Sequence, residues 1–244
     1  MQITPPANES RVAIAPDFSW DEQDAYLFDI DGTLMRSRDR VHFEAFTDSV
    51  QRVTGFEITL AGVLLAGATD TAIVREACRQ AGISDSIIDS HLEKILEGMC
   101  RCVLERRHEL QLIRMPGVEE VLQHLARRGA LLGVATGNLE MIGWLKIEQA
   151  GLREWFRFGG FSDRFPIRSE LIGHAARKAR EMAGADAKVC VVGDTPRDVE
   201  AAHANSLPVI AVATGHYSFD DLLKLQPEVC TTSLADLLAL RMIA

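Results

Sequence analysis

The chain has 244 residues, of which 47% are hydrophobic and 25% charged, as in an ordinary globular protein. This length is enough to bury one large core or two unequal ones. The formal net charge of −9 argues against a general affinity for nucleic acid or for an anionic membrane. A small anionic substrate is still compatible with this charge, because a bound cation inverts the local field.

The cysteines and the N-terminal segment bear on where the protein is found. The five cysteines are odd in number and scattered, which is typical of reduced thiols, and no stretch is long and apolar enough to span a membrane. Residues 1–22 are polar and contain prolines, without the basic start and apolar segment of a conventional signal peptide. We therefore expect a loose arm before the first strand and a cytoplasmic protein, either a monomer or a homodimer.

Apolar runs alternate with amphipathic helical patterns over most of the chain. The runs have the continuous apolar character of strands buried on both faces of a parallel sheet. Strands alternating with helices of this length predict an α/β fold in which helices cover the sheet. The predicted strands are 25–30, 130–135, 188–192 and 207–213, and the predicted helices are 118–128, 139–150, 169–183, 198–204 and 233–240.

Residues 35–113 interrupt this alternation. Their patterns are helical throughout, at 41–53, 69–81 and 84–107, and no comparable strand-like run appears among them. About eighty residues are too many for a simple loop. We therefore predict an all-helical cap at 35–113, inserted into an α/β core made of 23–34 and 114–244. The cap loop 67–70 either caps the following helix through Thr69 or Asp70, or faces the core and contacts a ligand.

Two aspartates spaced by one residue follow the first apolar run, where residues 29–34 read Asp-Ile-Asp-Gly-Thr-Leu. Side chains alternate along a strand, so Asp29 and Asp31 point the same way if the strand continues regularly. They then lie at its carboxyl end, which is where ligands bind in an open α/β sheet. Two converging carboxylates repel each other, so they need a metal, a shared proton or a cationic ligand.

Two more predicted strands end in polar motifs. Thr136-Gly137-Asn138 follows the second run, and Gly-Asp-Thr-Pro-Arg-Asp at 193–198 follows the third. In this order, around an inserted helical segment, the three motifs resemble the haloacid dehalogenase-like hydrolase superfamily. The resemblance is to its phosphoglycolate phosphatase-like branch and covers nearly the whole chain after the arm. It implies a parallel Rossmann-like sheet with helices on both faces and a cap inserted after the first motif.

The resemblance assigns a role to each aspartate. It implies that Asp29 attacks phosphorus and forms an aspartyl-phosphate, and that Asp31 serves as general acid and then general base. It implies Mg²⁺ as the cofactor, held by the side chains of Asp29 and Asp194 and by the backbone carbonyl of Asp31. Asp198 would hold the site in shape, as a supporting group or an alternative ligand.

The phosphate site and its cation follow from the same resemblance. Thr136 would donate its hydroxyl to a phosphoryl oxygen, with the Gly137 and Asn138 amides nearby at the start of a helix. The family also uses a cation, usually a lysine in a Lys-Pro pair, but residues 161–170 contain no lysine. Two candidates stay open: Lys146, on the helix after Asn138, and Arg168, near the position of the usual lysine.

The resemblance implies a phosphatase that acts on a small phosphorylated metabolite. Because a hexose phosphate mutase of the β-phosphoglucomutase type also retains both aspartates, it is the alternative. A non-catalytic binding protein with the same fold is a more remote one. The tetrapeptide Val-Ala-Thr-Gly occurs at 134–137 and again at 212–215, and we expect Thr214 in the second copy to be structural.

Overall fold

A seven-stranded sheet forms the centre of the computed structural model, which describes residues 10–239. Its strand order is β1-β9-β8-β7-β2-β5-β6, and every pairing is parallel except that of β1 with β9. A separate antiparallel pair joins β3 to β4. The strands are β1 (Val12–Ile14), β2 (Ala25–Phe28), β3 (Met35–Ser37), β4 (Leu112–Arg114), β5 (Leu131–Ala135), β6 (Phe158–Gly160), β7 (Val189–Gly193), β8 (Val209–Val212) and β9 (Val229–Thr231).

Helices cover both faces of this sheet, as the sequence predicts, and each predicted helix lies within about two residues of an observed one. The described α-helices are α1 (Val41–Thr54), α2 (Asp70–Gln80), α3 (Asp85–Glu105), α4 (Val118–Arg127), α5 (Glu140–Gln149), α6 (Arg168–Ala183), α7 (Pro196–Ala204), α8 (Phe219–Leu223) and α9 (Leu234–Ala239). None of them combines the length and the apolar character needed to cross a membrane.

The central strand β2 divides the hydrophobic core into two layers. Its four residues are all fully buried. Tyr26 and Phe28 belong to the cluster on one face of the sheet, whereas Ala25 and Leu27 belong to the cluster on the other. This division follows from the alternation of side chains along a strand. An apolar run without polar alternation is therefore what a strand buried on both faces requires.

The prediction of a loose N-terminal arm is wrong for Val12–Ile14. This segment is an edge strand that pairs antiparallel with Val229–Thr231. Strands β6 and β9 are also absent from the prediction, as are β3 and β4 at the two ends of the segment predicted to be all helical. Strands of three residues are too short to show a periodicity. The part of the arm before residue 10 lies outside the described residues.

The inserted segment folds as three helices with a core of its own. Helices α1, α2 and α3 enclose a cluster that includes Phe46, Val74 and Met99. Leu139, Ile142 and Leu145, at the start of α5 and along it, belong to the same cluster, so this helical unit packs directly on the core. The ladder of β3 with β4 lies where the chain leaves the core and returns to it. We propose 35–113 as the cap and 23–34 with 114–244 as the core.

Candidate active site

Three neighbouring strands bring the predicted motifs together at one edge of the sheet. Strand β2 lies between β5 and β7 and runs parallel to both. Asp29, Thr136 and Asp194 follow directly after these strands, so they meet at the carboxyl edge. They line a cavity of about 560 Å³ that lies between this edge and the cap.

A buried acidic cluster surrounds one guanidinium at the base of the cavity. Ligand oxygens of Asp29, Asp194 and Asp198 lie within 4.8 Å of one another. Arg168, the first residue of α6, places Nη2 3.1 Å from Asp29 Oδ2 and donates from Nε to Asp198 Oδ1 at 3.0 Å. Because all four side chains are buried, three carboxylates and one guanidinium leave two negative charges uncompensated.

The pKa values of this cluster reflect the missing positive charge. Burial raises the pKa of Asp29 to about 6; Arg168 opposes the rise, while Asp198 and Asp31 add to it. Burial, then Asp29 and Asp198, also raise the pKa of Asp194 well above its ordinary value. Protons therefore partly neutralise the cluster unless a cation takes their place.

A divalent oxygen-seeking cation such as Mg²⁺ fits this donor set. The Asp198 carboxylate is already occupied, since Oδ1 accepts from Arg168 and Oδ2 accepts from the Thr195 amide and hydroxyl at 3.0 and 2.7 Å. This capping box begins α7. Asp29 and Asp194 are therefore the acidic side chains of the cluster that would hold the ion, and Asp198 holds Arg168.

Two glycines let the chain approach Asp194 closely. If Gly32 were replaced by a residue with a side chain, the added Cβ would lie 2.2 Å from Asp194 Oδ2. A Cβ added at Gly215 would lie only 1.8 Å from the same oxygen. Gly32 also has φ +92°, a conformation that L side chains rarely adopt. The Thr33 hydroxyl donates to Asp194 Oδ1 at 3.0 Å, so the turn after β2 orients the carboxylate that follows β7.

Asp31 stands beside a second cation. Lys146 Nζ donates to Asp31 Oδ2 at 2.7 Å, and the side-chain amide of Asn138 donates to the same oxygen at 2.8 Å. Partial burial of Asp31 favours its neutral form, but Lys146, His42 and these hydrogen bonds outweigh it and lower its pKa. The Asp31 side chain is 42% exposed, whereas that of Lys146 is only 3% exposed.

The cap reaches the same lysine through His42 on α1. His42 Nδ1 lies 3.1 Å from Lys146 Nζ, and its Nε2 lies 3.1 Å from Asp70 Oδ2. An ammonium only donates, so in the neutral ring Nδ1 would accept from Lys146 and Nε2–H would donate to Asp70. His42 has no predicted role, because nothing near it in sequence reveals a partner on α5.

The cap loop before α2 is docked on the core. Arg168 Nη1 donates to the Gly67 carbonyl at 3.1 Å, and the Asp70 amide donates to the Gly137 carbonyl at 2.7 Å. The Thr69 hydroxyl donates to the Pro166 carbonyl at 2.6 Å and accepts from the Ala72 amide at 3.2 Å. Thr69 is thus the helix cap of α2, and the loop also faces the core.

The structure brings the predicted site residues into one place, with one difference in detail. Helix α5 begins at Glu140, so Asn138 lies before it; the Asn138 amide donates to Thr136 Oγ1 at 3.4 Å, and its side chain donates to Asp31. The Thr214 hydroxyl donates to the Gly32 carbonyl at 2.6 Å, as a structural residue would, although it also lines the cavity. The cavity-lining residues among those predicted are Asp29, Asp31, Thr136, Gly137, Asn138, Lys146, Arg168 and Asp194.

A parallel sheet with acidic residues at its carboxyl edge and a helical cap above them defines a capped α/β enzyme. The chain belongs to the haloacid dehalogenase-like hydrolases, whose family model matches residues 23–205. This match confirms the superfamily resemblance, and the Rossmann-like fold is as predicted.

Named relatives make the comparison more specific. A phosphoglycolate phosphatase of Xanthomonas campestris pv. campestris is 29% identical over 81% of this chain and 86% of its own length. One of Mesorhizobium japonicum is 33% identical, but the match spans only 41% of this chain and 44% of that protein. A solved structure from Bacteroides vulgatus, named as a candidate β-phosphoglucomutase, has a TM-score of 0.61 at 23% identity over 88% of this chain and 86% of that one. At this identity the likeness shows the fold alone.

Proposed function

We propose that the protein is a Mg²⁺-dependent phosphatase that hydrolyses a small phosphomonoester through an aspartyl-phosphate on Asp29. The observation that carries this proposal is the position of Asp29, buried at the base of the cavity between Arg168 and Asp194. A nucleophile for phosphoryl transfer needs this combination of fixed position and neighbouring positive charge. Bound Mg²⁺ would neutralise charge on the transferring phosphoryl group.

The chain's own residues divide the chemistry into two displacements. In the first, an Asp29 oxygen forms a bond to phosphorus, the ester P–O bond breaks, and Asp31 protonates the departing alkoxide. In the second, Asp31 takes a proton from water, whose oxygen attacks phosphorus and releases phosphate and Asp29. The lowered pKa of Asp31 suits the second step, where this carboxyl must be ionised, whereas the first step requires Asp31 to carry a proton.

We propose that Lys146 and Arg168 serve different aspartates rather than competing for one role. Arg168 steadies Asp29, whereas Lys146 and Asn138 aim Asp31. Thr136 lies next to Asn138, and its hydroxyl oxygen accepts a hydrogen bond from Asn138 Nδ2 at 2.8 Å. Its hydroxyl proton is thus left for a phosphoryl oxygen, with Gly137 beside it in the cavity lining.

The names of the relatives make 2-phosphoglycolate the first substrate to test. We propose a cytoplasmic protein, monomeric or homodimeric, that acts on a free metabolite. A mutase of the β-phosphoglucomutase type is the second candidate, because the docked cap loop would shield an aspartyl-phosphate from water long enough for a second transfer.

One assay distinguishes these functions. Phosphate release is measured from a panel of monoesters with Mg²⁺, beside conversion of β-glucose 1-phosphate in the presence of a bisphosphate primer. We expect phosphate release that Asp29→Asn abolishes. Isomerisation without phosphate release would support the mutase, and undiminished hydrolysis by Asp29→Asn would contradict both.

A further inference from the structure

The cavity above Asp29 has a polar base and an apolar wall. The base consists of the paired aspartates and cations at the sheet edge, and the wall comes from the cap. A cavity of about 560 Å³ is within the range, roughly 300–1,000 Å³, in which proteins bury drug-sized ligands. The apolar lining residues from the cap are Phe43, Phe46, Leu65, Ala66, Ala68 and Ile73.

The cations at the base already have carboxylate partners. Arg168 contacts Asp29 and Asp198, and Lys146 contacts Asp31. Both lie beside the atoms that take part in phosphoryl transfer. The three donors of Lys146 are already directed to Asp31, Asn138 and His42, and Arg168 also donates to the Gly67 carbonyl. The other arginine in the described lining is Arg36, which is exposed. Two histidines also belong to this lining: His216 is exposed, and His42 contacts Lys146 and Asp70. The buried basic side chains of the described lining therefore all have partners before a second anionic group arrives.

Other side chains hold the rings of the wall in place. His42 stacks on Phe46 with ring centroids 5.2 Å apart and an angle of 25° between the planes. The Arg40 guanidinium covers Phe43 at 4.4 Å from the ring centroid. Phe46 is only 4% exposed, and it packs in the same cap cluster as Ile73. The wall is therefore a preformed apolar surface beside the phosphoryl site.

We propose that this wall selects phosphomonoesters whose alcohol part carries a ring or another apolar body. The inference rests on the proposed phosphatase function and states which substrate class that site takes. An apolar ring gains by leaving water for this surface, whereas a carboxylate placed there loses hydration without gaining a partner. The alcohol part of 2-phosphoglycolate, a two-carbon acid, is therefore a poor fit for this cavity, whatever the relatives hydrolyse.

Hydrolysis of three esters tests the preference. The kcat/KM values of benzyl phosphate, ethyl phosphate and 2-phosphoglycolate are measured with saturating Mg²⁺. We expect benzyl phosphate to exceed the other two by about tenfold or more, in line with the discrimination that apolar pockets achieve. A higher kcat/KM for 2-phosphoglycolate than for benzyl phosphate would overturn the inference.

Variants of the cap locate the effect in the wall. Phe43→Ala is expected to lower kcat/KM for benzyl phosphate by about tenfold and to leave that for ethyl phosphate within about twofold. Phe56→Ala is the matched control, because Phe56 is an exposed cap phenylalanine outside this lining. Phe43→Leu, which keeps an apolar side chain, should retain much of the preference if Phe43→Ala folds poorly. An equal loss for all three esters would contradict a selective wall.

A binding measurement separates this inference from the proposed function. Calorimetry compares 2-phenylethylphosphonate with 3-phosphonopropionate, which are non-hydrolysable analogues of benzyl phosphate and 2-phosphoglycolate. We expect the phenyl compound to bind at least tenfold more tightly to the wild type with Mg²⁺. If the phenyl compound binds more tightly but no ester is hydrolysed, the proposed phosphatase function is refuted and the preference of the wall for rings is retained. Tighter binding of 3-phosphonopropionate would refute the preference alone.

Discussion

Lys146 and Arg168 each stand beside one of the two aspartates that follow β2. Their chemistry suits the different partners. A guanidinium has several donors in a planar fork, so Arg168 contacts Asp29, Asp198 and the Gly67 carbonyl at once. Lys146 is a compact charge with three donors, which it directs to Asp31, Asn138 and His42. The two residues are therefore not interchangeable.

Arg168→Lys tests this difference. The lysine keeps the positive charge but loses the fork, so Asp29 and the cap loop are no longer held by one group. We expect kcat with Mg²⁺ to fall by about tenfold to a hundredfold, on the scale of losing a positioned donor. Arg164→Lys, at an exposed position in the same loop region, is the control and should leave kcat unchanged. An Arg168→Lys enzyme with normal kcat, beside an inactive Lys146→Ala enzyme, would assign the essential cation to Lys146.

The cap and the core meet through the cap loop 67–70, whose backbone comes close to α7. A Cβ at Gly67 would lie 2.5 Å from Thr195 Oγ1 and 3.1 Å from Arg197 Cβ. On the other side, a Cβ at Gly137 would lie 2.2 Å from the Ala68 carbonyl oxygen. The docked position of the cap therefore depends on two positions without side chains, one in the cap and one in the core.

Gly67→Ala is expected to disturb docking without unfolding the protein. Its methyl group meets α7, so we expect kcat/KM to fall by about tenfold or more, as small misplacements at active sites do. Gly62→Ala is a matched control, since both glycines have positive φ (+67° and +80°) but the nearest atom to a Cβ at Gly62 is 3.8 Å away. Both variants should lose about 1–2 kcal/mol of stability from the left-handed backbone, and Gly67→Ala should lose more because its methyl group meets α7. Equal activities of the two would argue against the docked loop as part of the active state.

For the whole molecule, the site is a source of instability unless its charge is balanced. The fold buries the acidic cluster at the sheet edge, at the base of the cavity. Folding without a cation therefore requires either protonation of the cluster or burial of net negative charge. The free energy of unfolding should depend on pH and on Mg²⁺ together.

The sign of this dependence follows from Asp29. Its pKa rises from 3.8 to about 6 on folding, so the folded state holds a proton that the unfolded chain releases. The contribution of this proton to the free energy of unfolding is fully present below about pH 4 and is lost as pH rises through 6. In EDTA at pH 7.5, Asp29→Asn should therefore raise the free energy of unfolding by about 1–3 kcal/mol, with a smaller effect at pH 5.

Thermal unfolding from pH 5 to 8, with EDTA or with Mg²⁺, measures this effect. Mg²⁺ should raise the Tm of the wild type more than that of Asp29→Asn, because it binds the folded cluster. Asp186→Asn, at an exposed position, is the control and should follow the wild type. A lower Tm of Asp29→Asn than of the wild type in EDTA at pH 7.5 would contradict the charge imbalance.

Sequence patterns predict the fold class, the described α-helices other than the five-residue α8, and the strand ends that carry the candidate site. Apolar runs and helical periodicity are local signals, and parallel strands bring their carboxyl ends to one edge whatever the details of packing. The sequence therefore predicts one site that contains Asp29, Asp31, Thr136 and Asp194. Local patterns do not predict the three-residue strands. Strand β1, for example, is held in the sheet by pairing with β9, more than two hundred residues away in the chain.

The pairing of each cation with one aspartate is a result of three-dimensional packing. The contacts of Arg168 with Asp29 and of Lys146 with Asp31 depend on how α6 and α5 pack against the sheet edge. The contact of His42 with Lys146 depends in the same way on how the cap lies on α5. Side-chain distances of about 3 Å between remote elements are set by packing, and sequence periodicity carries no information about them.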